Sequence, residues 1–131
     1  MKRGGSRDTG PTPETVMALF KRDDGRCALD GAPIRGNRGW DWSVQHRMAR
    51  KGGGTIRAFI NLPGNLVLLC GSGTVGCHFR VESNGLWARD NGFKVREGQL
   101  LPAEVPIVHA VHGRVLLADG GTWTEAPCES S

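Results

Sequence analysis

The sequence lacks any run of about 18 consecutive apolar residues, so no membrane-spanning helix is expected. Residues 1–7 are basic and lack the apolar stretch of a secretory signal. No internal repeat divides the 131 residues, a length that suits one domain. We therefore expect an intracellular, cytoplasmic protein, whose four cysteines are metal ligands or free thiols rather than disulfides.

The composition favours a small core with many turns. Hydrophobic residues make up 38% of the chain and 20 residues are glycine, so a bound metal would help to hold the fold. The net charge of +4 favours an anionic partner such as nucleic acid. Many small proteins are mildly basic and bind nothing acidic, so the charge alone does not decide between these alternatives.

Three segments follow one another along the chain. Residues 1–11 are rich in Gly and Arg and are expected to be a disordered basic arm. Residues 12–100 are expected to form the main domain. It begins with a helix that Thr12 caps and that ends near residues 23–25. Residues 101–131 are expected to form a β-rich extension that includes a hairpin.

The main domain is predicted to be α+β, with strands and a helix in a fixed order. Alternation and apolar runs predict strands at 40–48 and 66–69, separated by a basic, Gly-rich loop. A helix is expected from His78 to about Asn91, with Val81, Leu86 and Trp87 as its buried stripe. A further short strand is expected at 93–96.

A His, an Asn and a second His occur in this order at the ends of the predicted elements. His46 ends the first strand, Asn65 precedes the second strand, and His78 opens the helix directly after Cys77. Over roughly residues 14–100 the sequence resembles the HNH endonuclease family, most closely the short HNH proteins of actinobacterial phages. The resemblance implies a small ββα-metal (HNH) unit preceded by the N-terminal helix.

The resemblance also implies a catalytic role for each of the three residues. His46 would be the general base that takes a proton from water, because neutral imidazole is a suitable base near pH 7. Asn65 would accept a hydrogen bond from the other ring nitrogen and fix the aim of the ring. His78 would bind one divalent cation, Mg²⁺ or a similar ion, on the scissile phosphate.

The sequence departs from the family beside the base. Gln45 stands where family members usually have Asp or His as a second metal ligand, and an amide oxygen binds Mg²⁺ more weakly than a carboxylate. Glu82 lies four residues beyond His78, on the same helix face, and is an alternative metal ligand. Equally, Glu82 is interpretable as a surface charge paired with Arg80 or Arg89.

Cysteines in the same region suggest a second metal site. By resemblance, Cys70 and Cys77 are one ligand pair of a structural zinc, and Cys27 belongs to the other pair, in which Asp30 replaces the expected Cys. Zinc accepts a carboxylate oxygen, so a Cys₃Asp site is one hypothesis and three buried thiols without zinc are the other. The remaining candidate ligands, His109 and His112, are interpreted as structural or exposed.

Basic residues near His46 are the candidate DNA-binding residues: Arg47, Arg50, Lys51 and Arg57. Their density suits contact with a phosphate backbone, and an ordinary solubilising surface is the alternative. Trp40 and Trp42 are expected in the core, with stacking on unpaired bases as the other interpretation.

The leading hypothesis is a metal-dependent HNH endonuclease that hydrolyses DNA phosphodiester bonds. By resemblance it would act in phage DNA processing or packaging, in the host cell cytoplasm, with a terminase as partner. Two alternatives are a DNA-binding module that has lost catalysis through Gln45 and a zinc-held interaction domain that binds no nucleic acid.

Overall fold

The computed structural model describes residues 10–49, 58–98 and 100–127 as a mixed α+β fold. The helices and strands, in chain order, are α1 (Pro13–Arg22), β1 (Trp42–His46), β2 (Leu66–Cys70), α2 (Gly76–Ser83), α3 (Gly85–Asp90), β3 (Ile107–His109), β4 (Gly113–Leu117) and β5 (Trp123–Glu125). The strands form two antiparallel sheets, β1–β2 and β3–β4–β5. The predicted α+β class is confirmed at this level. Within the described ranges no helix combines the length and apolarity needed to cross a membrane.

Helix α1 begins and ends where the sequence predicts. The backbone N–H of Thr15 donates to the side-chain oxygen of Thr12 at 3.1 Å, which satisfies one of the free amides of the first turn. Pro13 occupies the first helical position, where its missing N–H costs nothing. On the inner face, Leu19 is fully buried and packs against β2.

Strand β2 is buried on both faces, which explains its uninterrupted apolar sequence. Leu66 and Leu68 pack with Leu19 of α1, whereas Val67 and Leu69 belong to the larger core cluster on the other face. Antiparallel pairing with β1 runs from Trp42 opposite Cys70 to His46 opposite Leu66. This register sets His46 at the end of the hairpin that is nearest the 47–65 connection.

The larger core cluster combines residues from most of the chain. Its buried members are Cys27, Ala28, Val67, Leu69, Cys77, Val81, Ala88, Phe93, Ile107, Val115 and Leu117. The three-stranded C-terminal sheet therefore packs its apolar side into the same core as β2 and α2. The predicted hairpin in this segment is confirmed as β4 and β5.

The segment after the second strand differs from the prediction in three ways. The single helix expected from His78 is two helices, because the backbone leaves the helical conformation at Asn84, and the first of them begins at Gly76. Leu86, expected in the buried stripe, is 75% exposed. Residues 93–96 form no strand, although Phe93 is fully buried in the core. An apolar pattern over only four residues does not distinguish a strand from a buried turn.

The turn between β2 and α2 depends on two glycines. Gly71 and Gly76 both have positive φ angles, +86° and +76°. A Cβ on Gly71 would collide with the carbonyl of Val75, and one on Gly76 would lie 2.8 Å from the Cα of Gly71. Because the two glycines pack against each other, the chain reverses within a few residues. Cys70 and Cys77 are thereby brought to the same place.

Arg47 was predicted to contact DNA, and this prediction is wrong because the side chain is buried. It is 1% exposed, and its guanidinium donates to four backbone carbonyls at 2.7–2.9 Å: Gly64, Gly92, Pro102 and Val105. Burial, with Arg22 nearby, lowers the pKa of Arg47 to about 9, so the group remains charged at neutral pH. Its charge serves to satisfy carbonyls from four separate segments.

Replacing Arg47 with Met keeps the side-chain length and leaves four buried carbonyls without donors. We expect Arg47→Met to lower the free energy of unfolding by about 4 kcal/mol, in the range for breaking a buried charged network. Urea unfolding followed by circular dichroism measures the change. The matched control, Arg38→Met, removes an exposed arginine and should change stability by less than about 0.5 kcal/mol. Equal, small effects of the two substitutions would contradict this role.

Candidate metal centre and adjoining cleft

Three cysteines and one aspartate converge at the junction of α1, β2 and α2. The ligand atoms of Cys27, Asp30, Cys70 and Cys77 all lie within 4.8 Å of one another. Cys27 and Asp30 belong to the turn after α1, Cys70 ends β2, and Cys77 lies in the first turn of α2. The structure thus brings together the four residues that the sequence proposed as one site. Cys128 lies outside the described residues.

Hydrogen bonds hold these ligands in position. The Cys27 Sγ accepts the backbone N–H groups of Leu29 and Cys70, each at 3.4 Å. One carboxylate oxygen of Asp30 accepts the N–H of Ala32 at 3.0 Å, and the other lies 3.6 Å from the Cys70 Sγ. Within the described chain the cysteines are free thiols. Three sulfur atoms and one carboxylate oxygen this close could hold a metal ion.

Burial sets the protonation of this cluster. It raises the pKa values of the Cys27 and Cys77 thiols, and for Cys77 the neighbouring Cys70 raises it further. Burial opposes ionisation of Asp30 too, but the N–H of Ala32 and the thiols lower its pKa below the usual value. The metal-free cluster therefore keeps thiol protons that a metal must displace, so metal binding weakens as pH falls.

Replacing one cysteine of the cluster should distinguish a specific metal site from adventitious metal binding. We expect purified protein to hold about one metal ion per chain by elemental analysis, and Cys77→Ser to lower the affinity by more than about 100-fold, since even outer-shell changes cost 10- to 100-fold. Competition with a chromophoric chelator measures the affinity. Cys128→Ser is the matched control and should leave the affinity unchanged. Similar losses in both variants would argue against this ligand set.

A second group of potential ligands, Asp23, His109 and His112, lies beside Arg22. The N–H of Val111 donates to Nδ1 of His109 at 3.1 Å, so the ring proton is on Nε2, which points to Asp23 at 3.2 Å. A protonated nitrogen offers no lone pair to a metal. Moreover, Arg22 occupies both carboxylate oxygens of Asp23 at 2.8 Å. We interpret this group as a buried structural network, as the sequence analysis expected for the histidines.

Asp23 is fully buried, and its charge is stabilised by this network. Burial would raise its pKa, but the hydrogen bonds from Arg22 and the close contact with His109 outweigh burial and lower the pKa well below its ordinary value of 3.8. A lowered carboxyl pKa contributes stability above the unfolded-state pKa, and that contribution is lost as the pH falls through the folded-state pKa.

We expect Asp23→Asn to lower the free energy of unfolding by about 3–5 kcal/mol at pH 7. Below about pH 4 the difference between wild type and variant should shrink, because the wild-type carboxyl then begins to take up a proton on unfolding. Urea unfolding of both proteins at each pH measures this difference, and loss of metal in acid affects both alike. A difference that stays constant down to pH 2 would be incompatible with a lowered pKa.

An open cleft lies between the end of β1 and the face of α2. It has a volume of about 450 Å³. Among its lining residues are four that the sequence singled out: Gln45, His46, His78 and Glu82. The predicted base and the predicted cation ligands therefore line the same cleft. Gln45 is 5% exposed, and its amide donates to the carbonyl of His46 at 3.1 Å.

The His78 ring has one nitrogen atom without a partner among the described residues. Its Nδ1 is buried and has no hydrogen-bond partner within the described part of the chain, which is costly for a polar atom. Burial lowers the pKa of His78, Glu82 opposes this shift and Lys94 adds to it. The imidazole is therefore neutral at pH 7 and its lone pair can coordinate a cation.

Glu82 faces the same cleft, and its nearest cation differs from those expected. It forms an ion pair with Lys94 at 3.4 Å, not with Arg80 or Arg89. Instead, Arg80 lies over the Trp87 ring, 4.6 Å from its centroid. A partly exposed ion pair of this length is weak, so Glu82 could exchange Lys94 for a metal ion.

Asn65 does not position His46, which corrects the prediction. Asn65 is fully buried, and its amide spans the loop by bonding Met48 through both N–H and C=O and by donating to Ile60. The ring Nε2 of His46 instead lies 2.7 Å from the Oδ1 of Asn61. The sequence analysis missed Asn61. The only available signal was a second Asn four residues before Asn65.

The predicted DNA-binding residues Arg50, Lys51 and Arg57 lie outside the described residues. Trp42 packs edge-on against Phe20 with ring centroids 5.2 Å apart, as a core residue, whereas Trp40 is 78% exposed.

Comparisons of the chain with protein-family models, with curated proteins and with solved structures give no match.

Proposed function

We propose that the chain is a metal-dependent HNH-type endonuclease that hydrolyses DNA phosphodiester bonds. The observation that supports this most is the shared cleft of His46 and His78, with Glu82 beside them. A neutral histidine base and a second histidine available to a cation are the groups that phosphodiester hydrolysis requires. Two antiparallel strands followed by a helix supply them, in the order that the resemblance implies.

In this proposal His46 takes the proton from the attacking water. Because the carboxamide oxygen of Asn61 accepts from Nε2 at 2.7 Å, the proton of the neutral ring is on Nε2 and Nδ1 is the basic nitrogen. Asn61 therefore does what the sequence analysis assigned to Asn65. Asn65 acts on His46 only indirectly, because its hydrogen bonds hold the loop that contains Asn61.

The catalytic cation would be held by His78 and Glu82, which lie one helical turn apart on α2. The unpartnered Nδ1 of His78 fits this role. When bound, a divalent cation such as Mg²⁺ polarises the scissile phosphate and stabilises the departing oxygen. Gln45 is placed in the same cleft, where its bond to the carbonyl of His46 steadies the end of β1.

The Cys₃Asp cluster would hold a structural zinc. Tetrahedral coordination by sulfur and one carboxylate oxygen suits Zn²⁺, and the softer sulfur ligands disfavour Mg²⁺. Cys77 directly precedes His78, so an ion at the cluster fixes the start of the helix that presents the catalytic ligands. A role in phage DNA packaging, with a terminase as partner, rests on the resemblance alone.

A second candidate function is DNA binding without cleavage. It is favoured by Gln45, because its amide is buried and bonded to His46, and the carboxylate usual at this position is missing. The cation would then depend on His78 and Glu82, and a site with few protein ligands binds Mg²⁺ weakly.

Nicking of supercoiled plasmid tests the leading proposal. With Mg²⁺ or Mn²⁺ present, we expect wild type to nick DNA and His46→Ala to slow nicking by about 10²- to 10⁴-fold, the usual contribution of a general base. Asn61→Ala should slow nicking by a smaller factor, because it frees the ring without removing it. Gel electrophoresis over time gives the rates.

Asn65→Ala distinguishes positioning from folding. It leaves two backbone carbonyls and one N–H without partners, so it should lower the melting temperature, whereas Asn61→Ala should not. Nicking that persists unchanged in His46→Ala would sink the proposal. Binding to DNA without any nicking, in wild type and His46→Ala alike, would select the second candidate.

A further inference from the structure

A smaller cleft of about 230 Å³ continues from the proposed catalytic cleft. The two clefts share Gln45, His46, Ala49 and Glu82, so they form one continuous depression. The smaller cleft is additionally lined by cations of α3 and the segment after it: Arg89, Lys94 and Arg96. Sequence analysis did not select these three as DNA contacts, because they lie more than 40 positions beyond His46.

The three cations differ in their availability. Lys94 is paired with Glu82 at 3.4 Å. Among the described residues, the guanidinium groups of Arg89 and Arg96 have no hydrogen-bond or ion-pair partner, and both residues are exposed. Arg47 also lines the cleft, but its side chain is buried and four of its five N–H groups donate to backbone carbonyls. Two guanidinium groups are therefore free to bind an anion beside the proposed base.

We infer that Arg89 and Arg96 bind the phosphodiester backbone of a DNA strand next to the phosphate that His46 attacks. This inference rests on the proposed function and adds the direction in which the substrate strand leaves the cleft. Guanidinium groups suit phosphate oxygens because they donate two parallel hydrogen bonds. Contacts of this kind position the strand and do not read its base sequence.

The charge in the smaller cleft favours a polyanion over a single small anion. Four cationic side chains line it against one carboxylate, that of Glu82. The same depression continues to His46, so a ligand that carries several phosphates can contact His46 and Arg96 together. A nucleic acid strand meets this condition because its phosphates repeat along the chain.

The test compares two double variants of equal charge. Arg89→Gln with Arg96→Gln removes the proposed contacts, whereas Arg35→Gln with Arg38→Gln removes two exposed arginines at the other end of β1, where Arg38 bridges to Trp42. Binding of a fluorescein-labelled DNA duplex is measured by anisotropy against salt concentration, with His46→Ala added to prevent cutting. Plasmid nicking is measured without His46→Ala.

We expect the Arg89/Arg96 pair of substitutions to weaken binding about tenfold and to reduce the slope of log Kd against log salt by about 2, one for each lost phosphate contact. KM should rise and kcat should remain within about twofold, because neither residue touches the reacting atoms. The Arg35/Arg38 control should change binding by less than about twofold.

Three results would overturn the inference. Equal losses in both double variants would mean that net charge, not position, governs binding. Unchanged binding by the Arg89/Arg96 variant, with normal nicking, would reject the strand path and leave the endonuclease proposal standing. A wild-type protein that neither binds nor nicks DNA would reject both.

Discussion

The buried guanidinium of Arg47 is the constraint on which the arrangement of the chain depends. It directly follows β1 and donates to the carbonyls of Gly64 before β2, Gly92 after α3, and Pro102 and Val105 before β3. Irregular segments cannot satisfy their own carbonyls inside a core, so a five-donor side chain replaces a sheet or helix ladder. Because Arg47 adjoins His46, the same bonds that close the core also fix the end of β1 at the cleft.

The cysteine cluster supplies a second constraint of a different kind. A chain of this size buries little apolar surface, and the cluster joins the turn after α1 to the ends of β2 and α2. Burial keeps the thiols protonated when no ion is bound, so an ion stabilises the fold only by displacing those protons. A metal ion bound at this cluster would also restrain His78, because Cys77 and His78 are adjacent.

Local rules predicted the parts of the fold that local chemistry determines. The Thr12 cap, the alternation in β1 and the apolar run of β2 each had one dominant cause, and the structure confirms them. Helix α2 ends at Ser83, before the predicted end near Asn91, because Asn84 leaves the helical conformation. The burial of Arg47 was not predictable from the sequence, because its four acceptors lie 17 to 58 positions away and none belongs to a recognisable motif.

The two asparagines show why a site is harder to predict than a fold. Asn61 and Asn65 have the same side chain in the same short segment, and order along the sequence favoured Asn65 as the partner of His46. Asn65 ends the 3₁₀ turn Pro63–Asn65 before β2, and its buried amide bonds the backbone of Met48 and Ile60. Asn61 lies before that turn, on the side of the loop that faces the end of β1. The asparagine nearer His46 in the sequence is thus the one whose amide contacts the ring, whereas the asparagine after it is buried in the core.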